Sequence, residues 1–247
     1  MQDAAYALDV FVRHFSRAQP MLAPGFVALE LGPGDSLASA LVARAHGARA
    51  TFLVDAGPFA SSAEIGPYND LCRVLERRGK AVPGAPFASV PHMLESVGAT
   101  YVTEGLASLQ SIPDSHVDFV FSQAVLEHVA LDEFDATIAE LYRLQRQGGV
   151  SSHRVDLQDH LAHSLNSLRF SRGVWESSLF SASGFYTNRL RAIHIAQAFT
   201  RAGYEVLSRD DDCWEALPLP VRHLHRDFAA LPRTELLVRA VDFLARK

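Results

Sequence analysis

Two cysteines in 247 residues are too few for a disulfide framework, and Cys72 and Cys213 stand alone without C-x-x-C spacing, so no thiolate metal site is indicated. Both read as packing residues. No apolar run approaches the roughly 18 residues needed to span a bilayer. The opening MQDAAYALDVFVRHF carries Asp3 and Asp9 where a secretion signal needs a basic start. A cytoplasmic location without membrane contact is therefore expected. Basic clusters are also missing. A formal net charge of -5 with no run of Lys or Arg argues against a nucleic-acid partner, whose phosphates demand clustered cations. Internal repeats and low-complexity linkers are absent as well.

What the chain does have is core material, with 48% hydrophobic and 21% charged residues, the balance of an ordinary globular protein. Its length suits one α/β domain over residues 1–247 with insertions. Ala4, Leu8, Phe11, Val12 and Phe15 recur at helical spacing, and Pro20 and Pro24 close that segment. GFVALEL then reads as a buried strand, and SLASALVARAHGA as a helix with its N-cap at Asp35 or Ser36 and its stop at Gly47. ARATFLVDAG is a second strand, completing a crossover that handedness places in a parallel sheet.

Further along, YNDLCRVLERRGK and VPHMLESVGA read as helices, ATYVTE and HVDFVFS as strands, and LDEFDATIAELYRLQRQGG as a helix stopped by Gly148 and Gly149. GVSSHRVDL gives a fifth strand, TNRLRAIHIAQAFTRAG a helix, and YEVLSRD and TELLVRAVDFLARK two last strands, the final one antiparallel. LPLPVRHLHRDFAALP reads as an amphipathic helix. His223 and His225, two apart, share no helix face there. The expected fold is a doubly wound, mostly parallel sheet with capping insertions near 56–99, 157–187 and 211–233.

Ligands of such sheets sit beyond the strand C-termini, which here means residues 32–36. A dinucleotide turn needs a third glycine for close helix packing, and Leu37 stands in its place. Glu30, two residues before the first glycine, repels a pyrophosphate and suits a cation. Asp55, about twenty residues on, is placed to accept both hydroxyls of a ribose. A nucleoside with a cationic tail satisfies both acids.

These residues resemble the class I S-adenosylmethionine-dependent methyltransferases, in their small-molecule branch. ELGPG at 30–34 is similar to the family's first motif, VDFVFSQAVLEHV at 117–129 to its fourth, and RLQRQGGV to the turn entering its fifth strand; the resemblance covers roughly residues 25–156. It implies a Rossmann-like sheet of seven strands and S-adenosylmethionine as cofactor. Glu30, Gly32 and Gly34 would hold the methionine end and Asp55 the ribose. Ser122 and Gln123 would line the floor near the sulfonium. Glu104 stands slightly before the position from which the family reads the adenine, so it is either that contact or a solvated strand end.

The catalytic candidates lie further on. His128 is near the cleft, as a base or as part of a structural turn. SSHRVDLQDHLAHSLN crowds His153, Asp156, Asp159, His160 and His163 at the end of the fifth strand. Their spacing matches no standard ligand pattern, so no metal is expected, and His153, Asp156 or His160 is a candidate general base beside ordinary packing roles. Trp175, Phe185 and Tyr186, with Phe170 and Phe180, either contact a substrate from a cap or form a satellite cluster. Arg172, Arg189 and Arg191 are available to an anionic substrate group. The expected reaction is methyl transfer to an oxygen or nitrogen of a small metabolite, in biosynthesis. The alternatives are aminocarboxypropyl transfer or ring closure from the same sulfonium, and cofactor binding without turnover. Oligomeric state is not legible.

Overall fold

The computed structural model describes residues 4–247. Helix α1 (Ala4–Ala18) buries Leu8, Phe11 and Phe15 at three- and four-residue spacing and leaves Val12 exposed on its other side. Its three buried apolar side chains pack near Phe26, Phe119 and Phe121, at about 1.5–3 kcal/mol for each large one taken out of water. Strand β1 (Val27–Leu31) follows, then α2 (Ala38–Ala45), β2 (Ala50–Val54), α3 (Ile65–Arg77), α4 (Val90–Val97), β3 (Ala99–Val102), α5 (Leu106–Ser111) and β4 (Val117–Gln123). The second half holds α6 (Phe134–Leu144), β5 (Gln145–Asp156), α7 (Arg172–Trp175), α8 (Ser178–Ser181), α9 (Ala192–Ala202), β6 (Glu205–Cys213), α10 (Arg226–Ala229), α11 (Arg233–Leu237) and β7 (Val238–Arg246).

The seven strands form one sheet in the order β3-β2-β1-β4-β5-β7-β6. Neighbours from β3 to β5 are parallel, while β7 runs antiparallel between β5 and β6. Order reverses at β1, between β2 and β4, so the crevice for a ligand opens there. Both faces of β1 are buried: Ala28 packs into a core with α1 to α4, and Val27, Leu29 and Leu31 into a second core with α5, α6 and α9. A third, smaller core of Leu165, Leu168, Leu224 and Leu236 joins the 157–187 and 211–233 segments into one cap.

Four local expectations need correction. The cap of α2 is Leu37 and not Asp35 or Ser36, because the Leu37 amide is tied to the Tyr68 hydroxyl (3.0 Å) and the turn runs on by a residue. Helix α6 stops at Leu144, before the glycines. Gln145, fully buried between the Tyr204 and Ser151 hydroxyls, draws residues 145–148 into the sheet. The late amphipathic helix is broken into a single turn at Val221–His223 and the four-residue α10, with His225 capping α10 through its ring nitrogen. TELL belongs to α11, not to the last strand.

Candidate active site

A cavity of about 500 Å³ opens where β1, β2 and β4 end. Gly32 and Gly34 form its floor with φ of +73° and +66°, a region that costs L-residues energy and glycine little. At Gly32 a Cβ would meet Val125 at 2.4 Å, so the missing side chain lets the turn pack against the loop after β4. Gly34 faces open space. Asp55, at the end of β2, is buried and lines the cavity, and its two oxygens accept the Gly34 and Ala56 amides, each at 2.8 Å. A carboxylate thus shapes the glycine turn.

Apolar walls complete the space. Leu106 and Leu109, three apart on α5, share its inner face, and Phe59 lies at the rim although 60% exposed. Together with Gly105, Ala124, Val125 and Val129 these are the lining residues that motif reading missed. The i,i+3 leucine pair was the available signal. An acid beside a glycine turn, facing apolar walls, fits a nucleoside carrying a polar amino-acid tail, and the volume is that of a typical ligand pocket.

Several expected residues lie elsewhere. Glu30 is not among the cavity's lining residues: its carboxyl is buried behind the turn, hydrogen-bonded by the Ser39 hydroxyl, and burial pushes its pKa up to about 7. The carboxyls on the cavity wall are those of Asp55 and, at the start of α6, Glu133, not Glu30. Ser122 is fully buried and shares a 2.7 Å hydrogen bond with His153 Nδ1. Gln123 accepts a hydrogen bond from His14 Nε2 (3.2 Å), a histidine of helix α1 that no motif singles out. Both side chains are drawn into the sheet's own polar contacts. Glu104 is exposed just outside the wall, and its neighbour Gly105 takes the lining position.

Among the catalytic candidates, His153 is corrected: it is fully buried beside Phe199, with its pKa pushed down to about 3 by burial, and it cannot meet a substrate. Asp156 is half-buried and accepts the Gln158 amide at 2.9 Å. Asp159 is buried and holds the amides of Leu161, Ala162 and Asn166, which makes it the knot of the cap's entry loop. Among the described residues no group of three or more His, Cys, Asp and Glu is placed to hold a metal ion.

His128 lines the cavity. Its Nδ1 lies 3.2 Å from the Tyr186 carbonyl oxygen, which can only accept, so Nδ1 carries the proton and Nε2 is left as the basic nitrogen. Burial, and then the nearby His160, hold its pKa below the usual histidine value. The His160 ring, exposed on the cap, sits 5.0 Å from that of His128. Glu127, the residue before, was not foreseen. One of its oxygens accepts the Asp156 amide (3.2 Å), the other is buried without a partner, and burial raises its pKa to about 8.

The aromatic candidates divide. Trp175 is fully buried, donates from Nε1 to the Thr187 carbonyl (2.7 Å) and stacks on Phe170 and Phe180, so it is the cap's core and not a substrate contact. Tyr186 is buried with its hydroxyl donating to Glu176 at 2.7 Å. Phe185 is half-buried against Trp175. Arg191 is enclosed in the fold, donating to the carbonyls of Leu157, Glu235 and Val238.

Residues 71–152 match the family model of a methyltransferase domain. No functionally curated protein matches the sequence significantly. Among solved structures, an S-adenosylmethionine-dependent methyltransferase from Mesorhizobium loti is 15% identical over 97% of this chain and 100% of its own, with a TM-score of 0.55. The [4+2]-cyclase SpnF is 15% identical over 97% of this chain and 79% of its own, with a TM-score of 0.54. A Burkholderia thailandensis 1,6-didemethyltoxoflavin-N1-methyltransferase, solved with that substrate and S-adenosylhomocysteine, is 13% identical over 99% and 79%, with a TM-score of 0.52. At such identities the likeness speaks for the fold. No helix among the described residues is long and apolar enough to cross a membrane. The strand order and the cavity at the ends of β1, β2 and β4 are those of the Rossmann-like methyltransferase fold, and the matched segment places a methyltransferase-domain pattern within it.

Proposed function

We propose that the protein methylates an oxygen or nitrogen of a small metabolite, working as one catalytic unit with residues 157–187 and 211–233 as its substrate cap. The observation that carries this reading is His128: a neutral imidazole on the cofactor-cavity wall, with its tautomer set by the Tyr186 carbonyl and Nε2 available as a base. When bound, S-adenosylmethionine supplies an electrophilic methyl group for in-line displacement. An acceptor hydroxyl or protonated nitrogen loses its proton as it is methylated, and His128 is placed to take it. Glu127, whose pKa burial raises to about 8, holds the Asp156 amide at the end of β5. Apolar walls exclude water while Asp55 and the glycine turn orient the cofactor.

The test is a cofactor-consumption screen over phenolics, amino acids and nucleotide sugars with the nucleoside product identified. S-adenosylhomocysteine is expected; methylthioadenosine would point to the aminocarboxypropyl or ring-closing alternatives, and no turnover with any acceptor to a binding module. On the acceptor found, His128→Ala should lower kcat by about 10²–10⁴ while S-adenosylhomocysteine affinity changes by no more than a few-fold. Full kcat in that variant would remove the base from the reading.

A further inference from the structure

A second cavity, of about 370 Å³, lies between the start of α6, helix α9 and the cap, and shares no lining residue with the first. Its walls carry more donors than acceptors. Arg172, Arg189 and Arg201 face Asp135 and Asp227 across it. Arg201 is paired with Asp135 (2.7 Å), and Asp227 lies 3.2 Å from His225 Nδ1. Arg189, 2% exposed in its side chain, sits over the rings of Trp175 and Phe228 and donates to the Phe170 carbonyl at 2.8 Å. Arg172 is exposed and, among the described residues, has no ion-pair partner.

His194 adds a donor of known polarity. Its Nδ1 accepts the Arg191 amide (3.2 Å), so the proton of the neutral ring is on Nε2. The Gln197 amide lines the same wall, and the rest is apolar, with Leu131, Phe134, Leu190 and Phe228. An uncommitted guanidinium, an imidazole N–H and an amide on an apolar floor describe a receptor for an oxyanion borne on an apolar body. We infer that this cavity binds a small organic anion, a carboxylate or phosphate monoester on an aromatic or aliphatic frame, at a site separate from the cofactor cavity. Asn188 links the two. It lines this cavity, and its side-chain amide donates to the carbonyls of Leu126 (2.7 Å) and Val129 (3.0 Å), in the loop that carries His128.

The experiment is calorimetric titration of the full chain with phenyl phosphate and with benzyl alcohol, in the presence and absence of saturating S-adenosylhomocysteine. Expected are saturable binding of phenyl phosphate, at least tenfold weaker binding of benzyl alcohol, and no displacement by S-adenosylhomocysteine. Arg172→Gln, at an exposed side chain, should weaken phenyl phosphate about tenfold while cofactor-product affinity stays as in the parent; His194→Phe should do the same independently. No saturable binding, binding that neither variant weakens, or displacement by S-adenosylhomocysteine would each overturn the inference. The methyltransferase reading is scored separately, by the nucleoside product.

Discussion

The two halves of the molecule build their cavities from different materials. Around β1, β2 and β4 the cavity is shaped by backbone: two left-handed glycines, amides held by Asp55, and strand ends in parallel register. Across α9, β6 and the cap the fold is held by side chains reaching over long sequence distances. Arg191 ties the carbonyls of Leu157 and Glu235 to its own helix, Trp175 anchors the Thr187 carbonyl, and Asn188 clamps the 126–129 loop. A backbone-made site is nearly position-fixed, because φ and hydrogen bonding leave few alternatives. A side-chain-made cap changes with each substitution, which is where acceptor choice can vary on a constant fold.

The sharpest way to break that contrast is Trp175→Ala. Deleting a fully buried indole at the centre of the Phe170–Phe180–Phe185 cluster should cost about 3–5 kcal/mol. If the cap is held by its own side chains, the loss concentrates there. Amide hydrogen exchange should accelerate across 157–187, with β1 and β2 still protected and S-adenosylhomocysteine affinity kept within a few-fold. Equal loss of protection in β1 would mean that the halves are one cooperative unit and the distinction is only descriptive.

Asp55 probes the other half. Asp55→Ala should weaken S-adenosylhomocysteine by roughly 2–4 kcal/mol, as expected when one partner of a buried charged hydrogen bond is truncated. Part of that would come from releasing the Gly34 and Ala56 amides. Asp55→Asn separates the two contributions, since it keeps one acceptor oxygen for the turn and loses the charge. Calorimetry on both variants should place Asn between the parent and Ala. Affinity unchanged in Ala would remove Asp55 from the cofactor site.

These two sites also differ in how far they could be read in advance. The crossover from 27 to 55, the glycine turn and Asp55 are legible because each is a local pattern: an apolar run, a left-handed turn, an acid at a strand end. Residue type alone said nothing of orientation. Glu30 sits in the expected strand, yet its carboxyl turns to Ser39 on the next helix. Ser122 and Gln123 lie on opposite faces of β4, one bound to His153 and the other to His14, because side chains alternate along a strand. In the cap the misreadings are larger. Trp175 and Arg191 carry the chemistry of a binding site and are spent on packing, a choice made by residues dozens of positions away. Periodicity does not report such contacts.

The smallest expected effect is the one that tests how buried ionisable groups are divided between those halves. Glu127 and Glu30 are held neutral by burial, with pKa raised to about 8 and about 7. His14 and His153 are held neutral in the opposite sense, lowered to about 4 and about 3. A carboxyl raised in the folded state keeps a proton that the unfolded chain has already released, so stability falls as pH rises from its ordinary value through the folded one. A lowered histidine does the reverse, and its contribution is complete only about one unit above the ordinary value of 6.5. Between pH 6.5 and 8 the last of the gain from His14, His153 and the likewise lowered His46, His128 and His194 opposes the carboxyls, so the Glu127 contribution is read as the difference between parent and variant. Glu127 should then remove about 2 kcal/mol, at 1.36 kcal/mol for each unit, or a Tm decrease of about 4–8 °C in a chain of this length. Glu127→Gln keeps an acceptor for the Asp156 amide and cannot ionise, so most of that alkaline decrease should vanish in melting curves at pH 6.5 and 8. An equally steep decrease in the variant would put Glu127 in contact with water and assign the alkaline decrease to other groups.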